Sequence, residues 1–138
     1  DMLTQDCVLN SVGFRIQENG NMYLAALRGE PYKYVLLYKI VNGHRYELIT
    51  ADFTNTWTEW HHLEITANGN HLLFFVNGEL ALDYTDDNEP LLSGRQSLLS
   101  YTGGVALHQL LLVDNVQVFN SVVSTETTSL DRLKTLFR

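Results

Sequence analysis

Tyr34-Val35-Leu36-Leu37-Tyr38-Lys39-Ile40-Val41, turned by Asn42-Gly43, decides the fold class of this 138-residue chain. Aromatic and β-branched residues predominate in it, and they suit a pleated, half-buried surface. Asn and Gly both accept positive φ, so the pair signals a two-residue hairpin. Residues 45–50 then return alongside. The same grammar runs outward in both directions. On the N-terminal side, Val12, Phe14 and Ile16 alternate with Gly13, Arg15 and Gln17, the period of a half-buried strand. Glu18-Asn19-Gly20-Asn21 turns the chain into a strand over 22–27, and Arg28-Gly29-Glu30-Pro31 makes the next turn.

On the C-terminal side, Leu63 and Ile65 alternate with polar neighbours over 62–66. Asn68-Gly69-Asn70 leads into 71–76, and Asn77-Gly78 leads into 79–84. Three Asn-Gly hairpins joining short strands describe an antiparallel meander. Asp86-Asp87-Asn88-Glu89-Pro90 is an acidic, strand-breaking loop, and further strands are expected over 97–101, 105–112 and 113–119. No segment before Val123 has helical periodicity. The expected fold is all-β, an antiparallel two-sheet jelly-roll sandwich over residues 1–123. In the tail, 124–138, Ser129 caps an expected short helix with Leu130, Leu133, Leu136 and Phe137 on one face. So short a helix is marginal alone and must dock, on its own domain or on a neighbour.

Composition removes several function classes. A chain that is 45% hydrophobic can build a core, so disorder is not expected. Its net charge of −7, with nine Lys and Arg scattered singly, gives no basic face for nucleic acid. Anionic membranes and polyanions are disfavoured on the same ground. No apolar run approaches the roughly 20 residues that span a bilayer, so membrane insertion is not expected. The chain opens at Asp1 without Met or a basic-then-apolar leader, as expected of a mature chain or a fragment. Its one cysteine, Cys7, excludes an internal disulfide and reads as a small buried hydrophobe.

Residues 13–119 resemble the concanavalin A-like lectin/glucanase superfamily, with laminin G-like modules the nearest likeness. The resemblance is carried by Gly13-Phe14-Arg15, Tyr38-Lys39-Ile40-Val41-Asn42-Gly43, Trp60-His61-His62-Leu63-Glu64-Ile65, Phe75-Val76-Asn77-Gly78-Glu79 and Val113-Asp114-Asn115-Val116-Gln117-Val118. It implies that Trp60 fills the space between two sheets. It also implies a non-catalytic recognition module for carbohydrate or another ligand, in an extracellular or cell-surface protein. Superfamily members carry one or two strands before the position of Gly13. Here either residues 2–10 complete the sheet, or a removed or neighbouring segment supplies the missing strand. An unpaired edge invites strand addition. The alternative function is therefore a structural or assembly subunit, docking through an edge strand and Leu130, Leu133, Leu136 and Phe137, as a homo-oligomer or onto a neighbouring domain.

Glycosidases on this fold place two carboxylates on one face of one strand. Glu47, Asp52, Glu59 and Glu64 are too dispersed for that, so a remnant hydrolase ranks third and no catalytic residue is assigned. His61 and His62 are adjacent and face opposite sides of a strand, which argues against a shared zinc. Asp83, Asp86, Asp87 and Glu89 supply the oxygen density that calcium uses, without the ordered spacing of an EF-hand; the competing reading is a solvated acidic turn. Sugars stack on flat aromatic faces. Tyr32, Tyr34, Phe53 and Trp57 lie in or beside loops and are the candidate ligand-binding residues.

Overall fold

The structure, a computed structural model, describes residues 2–3, 8–29, 32–53, 59–102 and 112–119. Five antiparallel strands form the larger sheet: β2 (Val8–Ile16), β3 (Met22–Arg28), β4 (Tyr34–Val41), β5 (His44–Asp52) and β9 (Arg95–Thr102), in the order β5-β4-β3-β2-β9. A smaller sheet has the order β6-β7-β8, from β6 (Leu63–Asn68), β7 (His71–Val76) and β8 (Glu79–Thr85). A short pair joins β1 (Met2–Leu3) to β10 (Leu112–Val113). The all-β, antiparallel reading holds among the described residues. The expected strand over 105–112 lies almost wholly outside the described residues, as does the tail helix, whereas 114–119 carry no strand.

The turns follow their chemistry. Asn42 and Gly43 have φ of 52° and 79°, and Asn77 and Gly78 have 52° and 80°. Both pairs are left-handed at both central positions, the conformation whose twist matches flanking strands. Gly69-Asn70 closes the third hairpin, with Asn68 as the last strand residue opposite His71. Val8, Leu9 and Asn10 continue β2 rather than forming a separate strand, and β2 lies between β3 and β9.

Alternation then builds the core. Phe14 of β2, Tyr23, Ala25 and Leu27 of β3, and Val35 and Leu37 of β4 face Leu72, Phe74 and Val76 of β7 and Leu82 of β8. Alternate residues Leu24, Ala26, Leu36 and Tyr38 form a second buried cluster on the opposite face of the large sheet. β3 and β4 are thus apolar on both faces, which explains why their sequence reads as near-continuous hydrophobic runs.

One core assignment is corrected. Trp60 does not fill the space between the sheets; it is 48% exposed, and His61 is buried to 1%. The cause is parity. Leu63, Ile65 and Ala67 pack against the core, and a period of two puts His61, not Trp60, on their side. His61 meets Phe53 edge-on at 5.2 Å, and the Asn77 amide nitrogen lies 3.0 Å from its Nδ1.

Candidate functional site

β3 ends at Arg28 and β4 begins at Tyr34, and the hairpin register sets these two residues opposite each other. They share a face of the large sheet with Ala26 and Leu36, away from the smaller sheet. Tyr32, in the connecting turn, is 57% exposed, and its ring meets that of Tyr34 edge-on at 6.5 Å. The Arg28 guanidinium lies over both rings, 4.1 Å from the centre of Tyr32 and 5.4 Å from that of Tyr34. Its Nη1 also donates to the Tyr34 hydroxyl. The turn is tight enough to do this because Gly29 accepts from both Tyr32 and Lys33. The result is a planar cation fixed against two aromatic rings at the surface, a pattern suited to sugar rings and their polar substituents.

A second pair, from β5 and β4, stands on the same face of the large sheet. The Arg45 guanidinium lies 4.6 Å from the centre of the Tyr38 ring. Burial raises the Tyr38 hydroxyl above the ordinary tyrosine range; Arg45 opposes that shift, while Tyr34 and Glu47 add to it. Tyr38 itself is buried, so it is packing rather than platform.

The other expected ligand-binding residues fare differently. Phe53 is buried, only 7% exposed, and belongs to the core cluster, because its place just after β5 turns the ring inward against His61. It is not a ligand platform. Trp57 lies outside the described residues, as do Leu130, Leu133, Leu136 and Phe137. Tyr32 and Tyr34 come together as described. Arg28, which holds them, was missed. Its signal was faint: an Arg three residues before a loop Pro, with two tyrosines just beyond it.

The acidic loop is not arranged as a calcium cage. Asp86 is buried, 2% exposed, and its Oδ2 accepts from the Tyr23 hydroxyl at 2.5 Å and from Lys39 Nζ at 2.7 Å. Its Oδ1 accepts from the Asn88 amide at 3.0 Å. Lys39 also donates to the carbonyls of Asn88 and Glu89, at 2.6 Å and 2.9 Å. The point where the loop's oxygens converge is therefore filled by an ammonium from β4. Asp87 accepts from the Asn70 amide, and Asp83 pairs with His71 at 2.6 Å on the exposed face of the small sheet. Among the described residues no three His, Cys, Asp or Glu side chains gather as metal ligands.

The electrostatics of this loop follow from burial. Burial alone works against the Asp86 carboxylate, but hydrogen bonds from Lys39, Tyr23 and the Asn88 amide, with the Lys39 charge, outweigh it and hold its pKa below the usual range. Tyr23 is pushed the other way, well above the ordinary tyrosine value, first by burial and then by its bond to Asp86. The Tyr23 oxygen in turn accepts from the Leu91 amide at 3.0 Å. These groups stitch the loop after β8 to β3 and β4, an architectural role.

Comparison with known proteins places these features in context. A family model described as the 3-keto-alpha-glucoside-1,2-lyase-like domain matches residues 8–110. An uncharacterized protein of Methanocaldococcus jannaschii is 32% identical over 108 residues, which is 76% of this chain and 44% of that protein. The chain thus spans less than half the length of that relative. Among solved structures, the carbohydrate-binding module CBM66 from Bacillus subtilis matches with a TM-score of 0.60 at 19% identity. That match covers 72% of this chain and 61% of the module's chain. At such identity the likeness is one of fold, a β-sandwich.

Proposed function

The chain belongs to the family of 3-keto-alpha-glucoside-1,2-lyase-like domains, and from that premise we propose that it is a carbohydrate-recognition module that binds sugar at Arg28, Tyr32 and Tyr34. The observation that carries this reading is the Tyr32 ring, exposed at the surface and braced by a guanidinium 4.1 Å away. An aromatic face offers a sugar its apolar contact, and the guanidinium offers donors to ring substituents. The β-sandwich shared with a carbohydrate-binding module agrees with this use. A place outside the cell or at its surface belongs to the same proposal and rests on the resemblance to secreted lectin-like modules.

Stacking on one tyrosine contributes about 1 kcal/mol, so Tyr32→Ala is expected to weaken glycan binding five- to tenfold. Thermal unfolding should shift little, because the ring is mostly in solvent. Glycan-array intensity and titration calorimetry on both proteins check this. Binding left unchanged by Tyr32→Ala would move the site elsewhere, with the exposed Trp60 the next residue to replace.

A second reading, a lyase acting on a 3-keto-α-glucoside, draws on the family's description. Release of the aglycone from a 3-keto-α-glucoside by the intact chain would favour it; on the recognition reading none is expected. The assembly reading draws on the strand order, which leaves β5 and β9 at the edges of the large sheet among the described residues. Light scattering across a concentration series distinguishes it, with a constant monomer mass expected here.

A further inference from the structure

The recognition reading leaves the chemical class of the sugar open, and the state of Arg28 narrows it. A guanidinium carries five N–H donors in a fixed planar fork. At Arg28 one nitrogen donates to the Tyr34 hydroxyl. The guanidinium carbon lies 4.1 Å from the centre of the Tyr32 ring and 5.4 Å from that of Tyr34, so both rings hold the group in place. Among the described residues no carboxylate forms an ion pair with Arg28. That is uneven in a chain with 16 acids to 9 Lys and Arg, where partners are in surplus. Arg45, by contrast, shares its strand and face with Glu47.

A guanidinium held against two tyrosine rings, with one bond to a hydroxyl and no carboxylate partner among the described residues, is pre-ordered for a planar, two-oxygen acceptor. Resting on the carbohydrate-recognition reading, we propose that Arg28 reads a carboxylate on the sugar, so that the ligand is a uronic-acid glycan whose ring packs beside Tyr32. The net charge of −7 does not oppose this. Charges beyond a Debye length of about 8 Å are largely screened, whereas a bidentate contact acts at hydrogen-bond distance. It does disfavour long polyanions, so the ligand is a short or sparsely charged stretch.

The test is calorimetric titration of the full chain with trimers of galacturonate, glucuronate and mannuronate, and with their carboxyl-reduced neutral forms. At least one acidic trimer is expected to bind, with its reduced form weaker by about tenfold or more. Arg28→Gln should remove that difference while leaving residual binding through Tyr32. Arg28→Lys keeps the charge but not the fork, and should lose most of the preference; it serves as the second variant if Arg28→Gln melts early. Two results would overturn the inference and spare the recognition reading: neutral sugars bound as tightly as acidic ones, or a preference for acid that survives Arg28→Gln. Failure to bind any acidic or neutral glycan across a broad array would remove both.

Discussion

Replacing Asp86 by Ala is expected to destabilise the fold by about 3–5 kcal/mol, the cost of leaving one half of a buried ion pair without the other. Lys39 Nζ would keep only the carbonyls of Asn88 and Glu89, with its side chain 7% exposed. Tyr23, fully buried, would lose the acceptor for its hydroxyl hydrogen. Lys39→Met should cost a comparable amount, since it strands the carboxylate. The double variant Lys39→Met/Asp86→Leu is expected to lose less than the sum, because a hydrophobic pair removes both desolvation penalties together. Urea unfolding of the four proteins measures the coupling. A single-variant loss under about 1 kcal/mol would mean that the loop reorganises and the pair contributes little.

The same pair gives a pH dependence of definite sign. The Asp86 pKa is lower in the folded chain than its ordinary value. Its contribution is therefore present above about pH 4 and is lost as pH falls through the lowered folded value. Tyr23 is raised. Its contribution is present below about pH 10 and is lost as pH rises from there toward the raised folded value. Wild type should thus weaken at both extremes, and Asp86→Ala should flatten the acid limb.

Short-range chemistry was readable from residues alone; long-range partnership was not. Asn42-Gly43 and Asn77-Gly78 announce their turns because positive φ is a local property. Strand parity was readable too, and Leu63 and Ile65 already imply that His61 faces inward. The resemblance nevertheless pointed to Trp60, since a large aromatic is the customary filler of a sandwich. The acidic loop was hard to read for a different reason. Its carboxylates are adjacent in sequence, but the cation that meets them, Lys39, comes from a strand 47 positions earlier than Asp86. Tyr32 and Tyr34 were legible as loop-side aromatics, whereas Arg28 became meaningful only once the register set it opposite Tyr34.

The second large effect is expected at Gly94, where Ala should cost about 3 kcal/mol. Its φ is +146°, and an added Cβ would lie 2.3 Å from the Arg15 carbonyl carbon and 2.6 Å from Ile16 N and O. These are backbone atoms and cannot rotate aside. They sit there because β2 carries an irregularity against β9 between Gly13 and Ile16, with Arg15 at a φ of 51°. That bend aims the Arg15 guanidinium across to the carbonyls of Ala67 at 3.0 Å, Gly69, and Leu91 at 2.8 Å. It thereby ties the large sheet to the β6–β7 turn and to the loop before β9. Pushing Gly94 away would disturb all three bonds, so Gly94→Ala and Arg15→Lys should combine less than additively. Gly43→Ala is the control: φ is +79° but nothing lies within 4 Å of the added carbon, so about 1–2 kcal/mol of left-handed strain is expected. Denaturant midpoints for these variants separate backbone strain from close approach. A loss at Gly94→Ala no larger than at Gly43→Ala would show that the seam relaxes and that Arg15 does not depend on its shape.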